Sequence, residues 1–443
     1  MKNDVLLAFQ SLAQEPGSFV LFSAGKKNNQ KSIWGKKPIK TLEIFPKKIV
    51  LSTGKQKKIL RENALDILDD FLMDNQIWQE SFHNKIAIAF FSYEFSRYTM
   101  ILPKNSKALF NEKNHSSWPD AWIGIYEEFH EQENEGFDVS WAGQKNPSAN
   151  IHVQSNFTKK EYEQIVQKVL HYIREGDLYQ ANISQRFIFK RSNQKPFYLF
   201  NQLIKKNPVP YAAFLNLNSS QSILSLSPER FLKVENSQIL SEPIKGTIAR
   251  GLTKEEDLRN QKWLLNSSKN LAELTMIVDL MRNDLGKICI PHSIKVPKLA
   301  RLESFSSVHH LVSQIEGKIK KNITPGNILK ACFPGGSITG APKLRAMEII
   351  AELETVPRNI FTGAIGYIGP GKTMDLNIAI RTLMMNRKEM FLHAGAGIVA
   401  DSQPEKEYQE TLAKVLPFLN LLNTQNKPLA LSPREETPNT LNY

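Results

Sequence analysis

The spacing of hydrophobic residues predicts a first clear helix over residues 157–177. Tyr162, Ile165, Val169 and Ile173 recur there at helical spacing. Gly176 follows the last apolar position, where a glycine commonly ends a helix in the left-handed conformation. An amphipathic helix therefore begins the second part of the chain.

Two further helices are predicted, over residues 270–288 and 401–419. The first carries an apolar stripe made of Leu274, Ile277, Leu280, Met281 and Leu285. Gly286 closes that pattern. In the second, Ser402 and Glu405 have the spacing of a capping box, and Pro404 is tolerated in a first turn.

Short apolar runs predict strands elsewhere along the chain. They include SFVLFSAG and KIAIAFFSYEF in the first 150 residues, then YAAFLNL and SILSLSPERFLKV. Residues 127–150 are polar, and we expect a strand pair or a loop there. Helices and strands do not alternate regularly, which favours an α+β fold over a βαβ arrangement.

The positive charge of the chain raises the question of an acidic partner. The 443 residues carry a formal net charge of +13, and residues 26–61 hold twelve lysines and arginines against one acid, Glu43. No zinc-finger, RNA-binding or P-loop motif accompanies this run. A solvated basic surface is therefore the preferred interpretation, with nucleic-acid binding as a minor alternative.

Cysteine usage and the chain start indicate a cytoplasmic protein. Cys289 and Cys332 have no paired spacing, which argues against a disulfide framework or a cysteine-based metal site. The first residues lack the apolar core of a signal peptide, and no apolar run has the length of a membrane span.

A glycine-rich turn and an acidic helix near the chain end are candidates for anion and cation binding. Gly395 and Gly397 can expose backbone N–H groups to a carboxylate or phosphate. Glu407, Glu410 and Lys414 share one helix face. A solvated helix face is the ordinary explanation, whereas a Mg²⁺ site is the functional one, because Mg²⁺ prefers a few carboxylates with waters and substrate oxygens.

Four more polar residues lie among apolar residues. Glu273 adjoins the stripe of the 270–288 helix, and Arg381 lies in MDLNIAIRTLMM, a predicted buried strand. A buried arginine needs a carboxylate, from either the protein or a ligand. His309 and His310 cannot both face the same side of a strand, so at most one is expected to reach a site there.

Two loops contain the remaining candidate chemistry. In CFPGGSITGAPKLRAMEII, glycines and Ser337 precede a helix starting near Pro342, a typical anion-binding arrangement that is not a Walker motif. In SEPIKGTIARG, Lys245 lies between Pro243 and Gly246 in a turn that we expect to be dry. Together these features indicate a Mg²⁺-assisted enzyme acting on a small acidic molecule, without identifying the reaction.

The order of these motifs resembles the chorismate-utilising enzymes, and within them the enzymes that form aminodeoxychorismate. The similar segments are GDLYQANISQRF, PIKGT, AELTMIVDLMRNDLGKI, SVHHLVS, FPGGSITGAPKLRAMEII, GAIGYIG, IAIRT, HAGAGIV and EKEYQETLAK. The resemblance implies a sandwich of antiparallel sheets with outer helices. It also implies an N-terminal region over residues 1–150, a chorismate-binding catalytic region over 151–423 and a polar, flexible tail over 424–443.

The resemblance also implies roles for individual residues. Glu273 and Glu410 match direct Mg²⁺ ligands and Glu407 a ligand acting through water, while Asn270 replaces a fourth acidic residue of many relatives. The positions that match chorismate-binding residues are Gly246, Thr247, His310, Ser337, Tyr367, Arg381, Gly395, Ala396, Gly397 and Lys414.

Two positions select the subfamily. Relatives that add water to chorismate resemble this chain but carry a lysine at the position of Gln180, and a neutral glutamine favours ammonia as the nucleophile. Anthranilate synthases carry a small residue at the position of Lys245. The resemblance implies that Lys245 attacks ring carbon C2 while Glu229 supplies the acid for the leaving C4 hydroxyl, so that ammonia then adds at C4.

Partners and alternatives follow from the same resemblance. No amidotransferase nucleophile is found in the sequence, so ammonia is expected from a separate glutamine amidotransferase subunit in a heterodimer. Ser23, Pro210, Tyr211 and Ala212 match a tryptophan pocket of anthranilate synthases, although plain core strands would explain them as well. The alternatives are an anthranilate synthase component and a non-catalytic subunit that binds chorismate or tryptophan.

Overall fold

The computed structural model describes residues 5–24, 31–80, 84–100, 118–133, 153–191, 194–305, 308–422 and 431–433. These residues contain ten α-helices and two large β-sheets. The expectation of an α+β sandwich of antiparallel sheets with outer helices is confirmed.

The helices, in chain order, are α1 (Val5–Gln10), α2 (Ala64–Asp74), α3 (Ser96–Thr99), α4 (Lys159–Arg174), α5 (Pro196–Lys206), α6 (Lys254–Leu265), α7 (Ser268–Gly286), α8 (Pro325–Cys332), α9 (Lys343–Leu353) and α10 (Pro404–Leu422). The three helices predicted from periodicity correspond to α4, α7 and α10. Gly176 has φ +84° just after α4, as its capping role requires. The capping box expected at α10 is wrong, because Ser402 accepts the N–H of Val399 and Glu405 pairs with Lys159.

The strands of the first sheet are β1 (Ser18–Phe22), β2 (Lys31–Gly35), β8 (Phe129–Glu133), β9 (Val153–Ser155), β10 (Gln180–Lys190), β11 (Tyr211–Asn218), β12 (Gln221–Ser227), β18 (Gly340–Ala341), β21 (Thr382–Met385), β22 (Glu389–Ile398) and β23 (Leu431–Pro433). Their order is β23-β9-β10-β22-β21-β12-β11-β1-β2-β8, with β18 beside β10. Only the short β23 pairs in parallel among these described strands.

The strands of the second sheet are β3 (Lys40–Phe45), β4 (Lys48–Thr53), β5 (Gln56–Leu60), β6 (Ile86–Phe91), β7 (Ala121–Tyr126), β13 (Arg230–Glu235), β14 (Gln238–Glu242), β15 (Ile244–Ala249), β16 (Lys295–Ser304), β17 (Val308–Lys318), β19 (Ala364–Gly369) and β20 (Thr373–Ile378). Their order is β15-β17-β14-β13-β20-β19-β6-β7-β3-β4-β5, with β16 beside β17. The basic stretch lies mainly in β2 to β5, and β5 is an exposed edge strand, where lysines discourage pairing with another chain.

Both sheets mix strands from the two predicted regions of the chain. β1 pairs with β11, and β6 pairs with β19, so residues before and after position 150 share one framework. The boundary at 150 stays a division of the sequence. Of the predicted strand pair or loop at 127–150, β8 is present and residues 134–150 lie outside the described residues. Of the predicted tail, only β23 is described.

Two of the places where the chain crosses from one sheet to the other are adjacent. β12 of the first sheet leads into β13 of the second through Pro228 and Glu229. β20 of the second sheet leads into β21 of the first through residues 379–381. The two crossings are tied together, because Ile378 donates its N–H to the carbonyl of Glu229 at 3.0 Å. They bring polar residues of different strands to one place.

Apolar clusters fill the spaces around both sheets. One lies between them and includes Phe90, Trp122, Ile365 and Met384. Another packs α4, α9 and α10 on the outer face of the first sheet. A third packs α2, α7 and α8 against the second sheet. Because apolar clusters cover both faces of the second sheet, β6 and β7 are almost entirely apolar.

Candidate active site

Lys245 lies on β15 at an irregularity in the strand. The pairing with β17 shifts between Lys245, opposite Leu311, and Thr247, opposite His310. Gly246 has φ +77° at this bulge, and a Cβ there would lie 3.0 Å from the side chain of Asn270 on α7. A glycine is therefore required, because other residues rarely adopt this conformation and the space is filled.

The amine of Lys245 is largely withdrawn from solvent. Its side chain is 14% exposed, and Nζ lies 3.9 Å from Glu273 Oε2. Burial lowers the pKa of Lys245, and Lys414 acts in the same direction, while the carboxylates of Glu273 and Glu229 oppose the change. The expected dry turn is a bulged strand in which Thr247 and Ala249 are exposed, so only the Lys245 side chain is largely shielded. The lowered pKa of Lys245 favours the neutral, nucleophilic amine.

Glu229 lies at the crossing between β12 and β13. Its side chain accepts a hydrogen bond from Ser337 Oγ at 2.8 Å, and the residue is 5% exposed. Burial raises the pKa of Glu229 to about 7, against the opposing effects of Ser337 and Lys245. A carboxyl group with this pKa can hold a proton near neutral pH and release it, which is the requirement for a general acid. Ser337, predicted to bind substrate, here contacts the candidate acid.

Arg381 lies at the second crossing, not on a strand as the sequence predicted. Its φ is +50°, and its carbonyl accepts the N–H of Leu226. Burial lowers the pKa of Arg381, and its guanidinium makes no hydrogen bond or ion pair with any described residue. Arg381 is half-buried, and a partly desolvated guanidinium without a carboxylate from the described residues is suited to a carboxylate supplied by a ligand.

The predicted glycine-rich turn is part of strand β22, which ends beside Lys245. The position of a Cβ on Gly397 would be 3.5 Å from Lys245 Nζ and 3.0 Å from Gln180 Nε2. Lys414 on α10 donates to the carbonyl of Gly395 and pairs with Glu410, both at 2.7 Å. The side chain of Ala396 belongs to the outer apolar cluster, so only its backbone can face the site.

The predicted Mg²⁺ ligands Glu273, Glu407 and Glu410 come from α7 and α10. Among the residues that the structure describes, no three His, Cys, Asp or Glu side chains are close enough to enclose a metal ion by themselves. Glu407 is 8% exposed, and burial together with Glu410 raises its pKa although Ser402 hydrogen-bonds to it. This donor set suits Mg²⁺, which prefers a few carboxylates and takes its remaining ligands from water and substrate.

The two neighbouring histidines of β17 point in opposite directions, as the strand period predicted. His310 Nδ1 lies 2.8 Å from Thr247 Oγ1, and burial lowers the pKa of His310 to about 4. His309 is enclosed on the other face, with Nε2 2.9 Å from Asp257 Oδ1. His310 is thus the neutral histidine beside the Lys245 bulge, and His309 is a structural residue.

One polar residue was missed by the sequence analysis. Asn182 lies two residues after Gln180 on β10, so both side chains point to the same face. Its Oδ1 would be 2.5 Å from a Cβ on Gly395. The two-residue spacing from Gln180 was the signal that could have identified Asn182.

We call the residues collected here the Lys245 group: Gln180, Asn182, Glu229, Lys245, Gly246, Thr247, Glu273, His310, Ser337, Arg381, Gly395, Ala396, Gly397, Glu407, Glu410 and Lys414. They come from both sheets and from α7 and α10.

A cavity of about 420 Å³ lies between the two sheets, apart from the Lys245 group, and we call it the second cavity. The residues matching a tryptophan pocket, Ser23, Pro210, Tyr211 and Ala212, all line it. The cavity brings the end of β1 and the start of β11 together with strands of the second sheet. Its lining combines apolar side chains with charged groups, which suits a small amphipathic molecule.

Tyr367 is placed differently from the expectation. The sequence analysis assigned it to chorismate, yet it lines the second cavity with Tyr211. On β19, the side chains of Ile365 and Tyr367 share the face that packs between the sheets, whereas Ile368 packs on the opposite face. Strand alternation therefore directs Tyr367 into the second cavity, and we do not include it in the Lys245 group.

Comparisons with known proteins agree with this geometry. The family model described as chorismate binding enzyme matches residues 17–420. Aminodeoxychorismate synthase component 1 of Escherichia coli strain K12 is 39% identical over 409 residues, covering 87% of this chain and 88% of the relative.

Anthranilate synthases are also similar to this chain. Anthranilate synthase component 1 of Aquifex aeolicus is 44% identical over 261 residues, covering 59% of this chain and 52% of the relative. The crystal structure of anthranilate synthase component I from Streptococcus pneumoniae superimposes with a TM-score of 0.72 at 28% identity, covering 88% and 92% of the two chains.

The structure contains no helix, among its described residues, with the length and apolar character needed to span a bilayer. Cys289 and Cys332 are both buried, and neither forms a disulfide.

Proposed function

The chain belongs to the chorismate-binding enzyme family, and we propose that it acts as aminodeoxychorismate synthase component I. In this role it converts chorismate and ammonia to 4-amino-4-deoxychorismate, a transaminase-class reaction leading to 4-aminobenzoate and folate. The observation that carries the proposal is the buried amine of Lys245 beside Gly397, with Glu229 and Glu273 as its charged neighbours.

The proposed chemistry uses Lys245 as nucleophile and Glu229 as acid. The neutral amine of Lys245 attacks ring carbon C2, the ring double bond shifts, and the C4 hydroxyl leaves as water with the proton of Glu229. Ammonia then attacks C4, the double bond shifts back, and the lysine amine is released. Each step forms one bond to nitrogen and breaks one bond to the leaving group.

The dianionic substrate is held by a cation, a strand backbone and two hydrogen-bonding side chains. Arg381 supports one carboxylate, since its half-buried guanidinium pairs with no described acid. The backbone from Gly395 to Gly397 and the Thr247–His310 pair line the same space. His310 is neutral near pH 7 because of its lowered pKa, so it acts through hydrogen bonding.

We propose that Glu273, Glu410 and, through water, Glu407 hold Mg²⁺. The ion would neutralise a carboxylate of chorismate and help to orient it. Asn270 lies against Gly246 and contributes an amide where many relatives have an acid.

Ammonia is proposed to come from a glutamine amidotransferase subunit, in a cytoplasmic heterodimer. The second cavity is proposed to bind tryptophan through the surface of Ser23, Pro210, Tyr211 and Ala212. Neither proposal is required for ammonia-dependent turnover by the isolated chain.

The decisive experiment incubates the protein with chorismate, Mg²⁺ and an ammonium salt, and separates the products by chromatography. We expect 4-amino-4-deoxychorismate, which yields 4-aminobenzoate only after a lyase is added. Fluorescent anthranilate without added lyase would identify an anthranilate synthase instead, and binding without turnover would identify a non-catalytic subunit. Intact-mass measurement with chorismate and no ammonia tests for an adduct on the Lys245 peptide.

A further inference from the structure

Two side-chain amides on β10 are buried beside the reacting lysine without hydrogen-bond partners. Both polar atoms of Gln180 and Oδ1 of Asn182 are shielded from solvent and make no hydrogen bond with any residue that the structure describes. Buried polar atoms are normally paired, because leaving one unpaired costs free energy. These two amides therefore require a ligand or ordered water that hydrogen-bonds to them.

The strand beside the two amides carries glycines. On β22, Gly397 pairs with Asn182 of β10, and Gly395 pairs with Ser184. A Cβ on Gly397 would lie 3.0 Å from Gln180 Nε2, and a Cβ on Gly395 would lie 2.5 Å from Asn182 Oδ1. A Cβ at Gly395 would collide with Asn182, so the absence of side chains at Gly395 and Gly397 makes room for the two amides.

This space adjoins the nucleophile of the proposed reaction. The same Cβ position on Gly397 is 3.5 Å from Lys245 Nζ, so the amine and the Gln180 amide flank one point. The backbone of Asn182 is held from two sides, because its N–H donates to Thr339 at 2.8 Å and its carbonyl accepts from Arg358. The backbone of Asn182 is therefore held in place two residues after Gln180 on β10.

We propose that Gln180 and Asn182 form the subsite that binds neutral ammonia for attack on the substrate. This inference rests on the proposed function and adds Asn182 to it. Ammonia has three N–H donors and one lone pair. Oδ1 of Asn182 and Oε1 of Gln180 are both unpaired and accept two of the N–H groups; for this the Gln180 amide turns its oxygen to the side that Nε2 takes in the structure. The lone pair of ammonia then stays free for carbon C4.

Charges of both signs surround the two amides. Lys414 pairs with Glu410, and Arg358 pairs with Glu354. The lowered pKa of Lys245 favours its neutral amine, and Glu229 and Glu273 act on that amine. Neither amide can take a proton from water, so the subsite does not activate water as a competing nucleophile.

The test compares Asn182→Leu with Asn201→Leu. Asn201 on α5 is the matched control, because its Oδ1 is also buried without a partner and its helix packs in a different apolar cluster. We expect Asn182→Leu to raise the KM for ammonia roughly tenfold, as for a lost hydrogen bond to a buried acceptor. The KM for chorismate and the chorismate adduct formed without ammonia stay unchanged. Asn201→Leu leaves all three values at the wild-type level.

Other outcomes distinguish a failure of the ammonia subsite from a failure of the proposed function. An unchanged KM for ammonia in Asn182→Leu, or an equal rise in the KM for chorismate, overturns the ammonia subsite. If Asn182→Leu does not fold, Asn182→Ser removes the same carbonyl with less change in shape, and its KM for ammonia decides. A wild-type protein that makes no aminodeoxychorismate from chorismate and ammonium salt contradicts the proposed function itself.

Discussion

The Lys245 group and the second cavity both lie where the two sheets meet, but they differ in whether their arginine is paired with carboxylates of the protein. In the second cavity, Asp375 forms two hydrogen bonds of 3.0 Å with Arg230, which also bonds Glu242 at 2.6 Å and lies over the Tyr211 ring. In the Lys245 group, the half-buried Arg381 has no partner among the described residues.

Backbone conformation does not separate the two regions. Gly246 and Arg381 have positive φ values in the Lys245 group, and Gly371 and Asn236 have positive φ values among the residues that line the second cavity. The difference lies in how the charged side chains are paired. It indicates that Arg381 is available to a charged ligand, while the charges beside the second cavity stabilise the fold.

The largest expected effect comes from Lys245→Ala. Loss of the nucleophile should slow formation of aminodeoxychorismate by roughly a thousandfold or more, the range found when a catalytic nucleophile is removed. The rate is measured by product chromatography, which also detects anthranilate formed by direct attack at C2. Lys233→Ala, at the edge of the second cavity, is the control and should retain wild-type activity. Wild-type rate and product in Lys245→Ala would rule out the covalent route.

Glu229 gives the next largest effect and a dependence on pH. Glu229→Gln should lower kcat by about a hundredfold or more, because a glutamine accepts from Ser337 but donates no proton to the hydroxyl. In the wild type, the protonated carboxyl is the acid, so kcat/KM for chorismate should fall as pH rises through about 7.

The stability of Glu229→Gln checks the same pKa independently. The pKa of Glu229 is raised in the folded protein. At a pH below the pKa that Glu229 has in the unfolded chain, the carboxyl is protonated in both states and its ionisation does not affect the free energy of unfolding. As pH rises from there to about 7, only the unfolded state ionises, which destabilises the folded protein. Glu229→Gln should therefore raise the free energy of unfolding at pH 8 relative to pH 4. Equal differences at both values would contradict the raised pKa.

The two arginines test the comparison directly. Arg381→Leu should raise the KM for chorismate by roughly a hundredfold without lowering the free energy of unfolding, since no protein carboxylate loses a partner. Arg230→Leu should lower the free energy of unfolding by about 3–5 kcal/mol, because Glu242 and Asp375 stay buried without it. Denaturant titration and steady-state kinetics on both variants measure the two effects. Similar behaviour of the two variants would remove the distinction between the regions.

The smallest effect concerns ligand binding in the second cavity. L-tryptophan at 100 times its Kd should add about 2.7 kcal/mol to the free energy of unfolding. Ala213→Leu enlarges a side chain that lines the cavity and packs between the sheets, so it should abolish this shift and leave ammonia-dependent turnover within about twofold. Thermal unfolding with L-tryptophan or L-leucine provides the measurement. No response of the wild type to tryptophan would reject the proposed ligand.

Local patterns in the sequence determined α4, α7, α10, the strands β1, β6, β11, β12 and β13, and the α+β class, because periods of 3.6 and 2 residues report which face of an element is buried. They also marked the unusual positions of Lys245, Glu273 and Gly395. Strand alternation alone was enough to separate His309 from His310.

Only the tertiary structure decided which residues meet. Tyr367 belongs to the second cavity and Ser337 to Glu229 because strand and loop partners distant in sequence bring them there. The missing partner of Arg381, the raised pKa of Glu229 and the unpaired amide of Asn182 depend on burial by several elements at once. Periodicity reports one element at a time, whereas desolvation and pairing are properties of the assembled sheets.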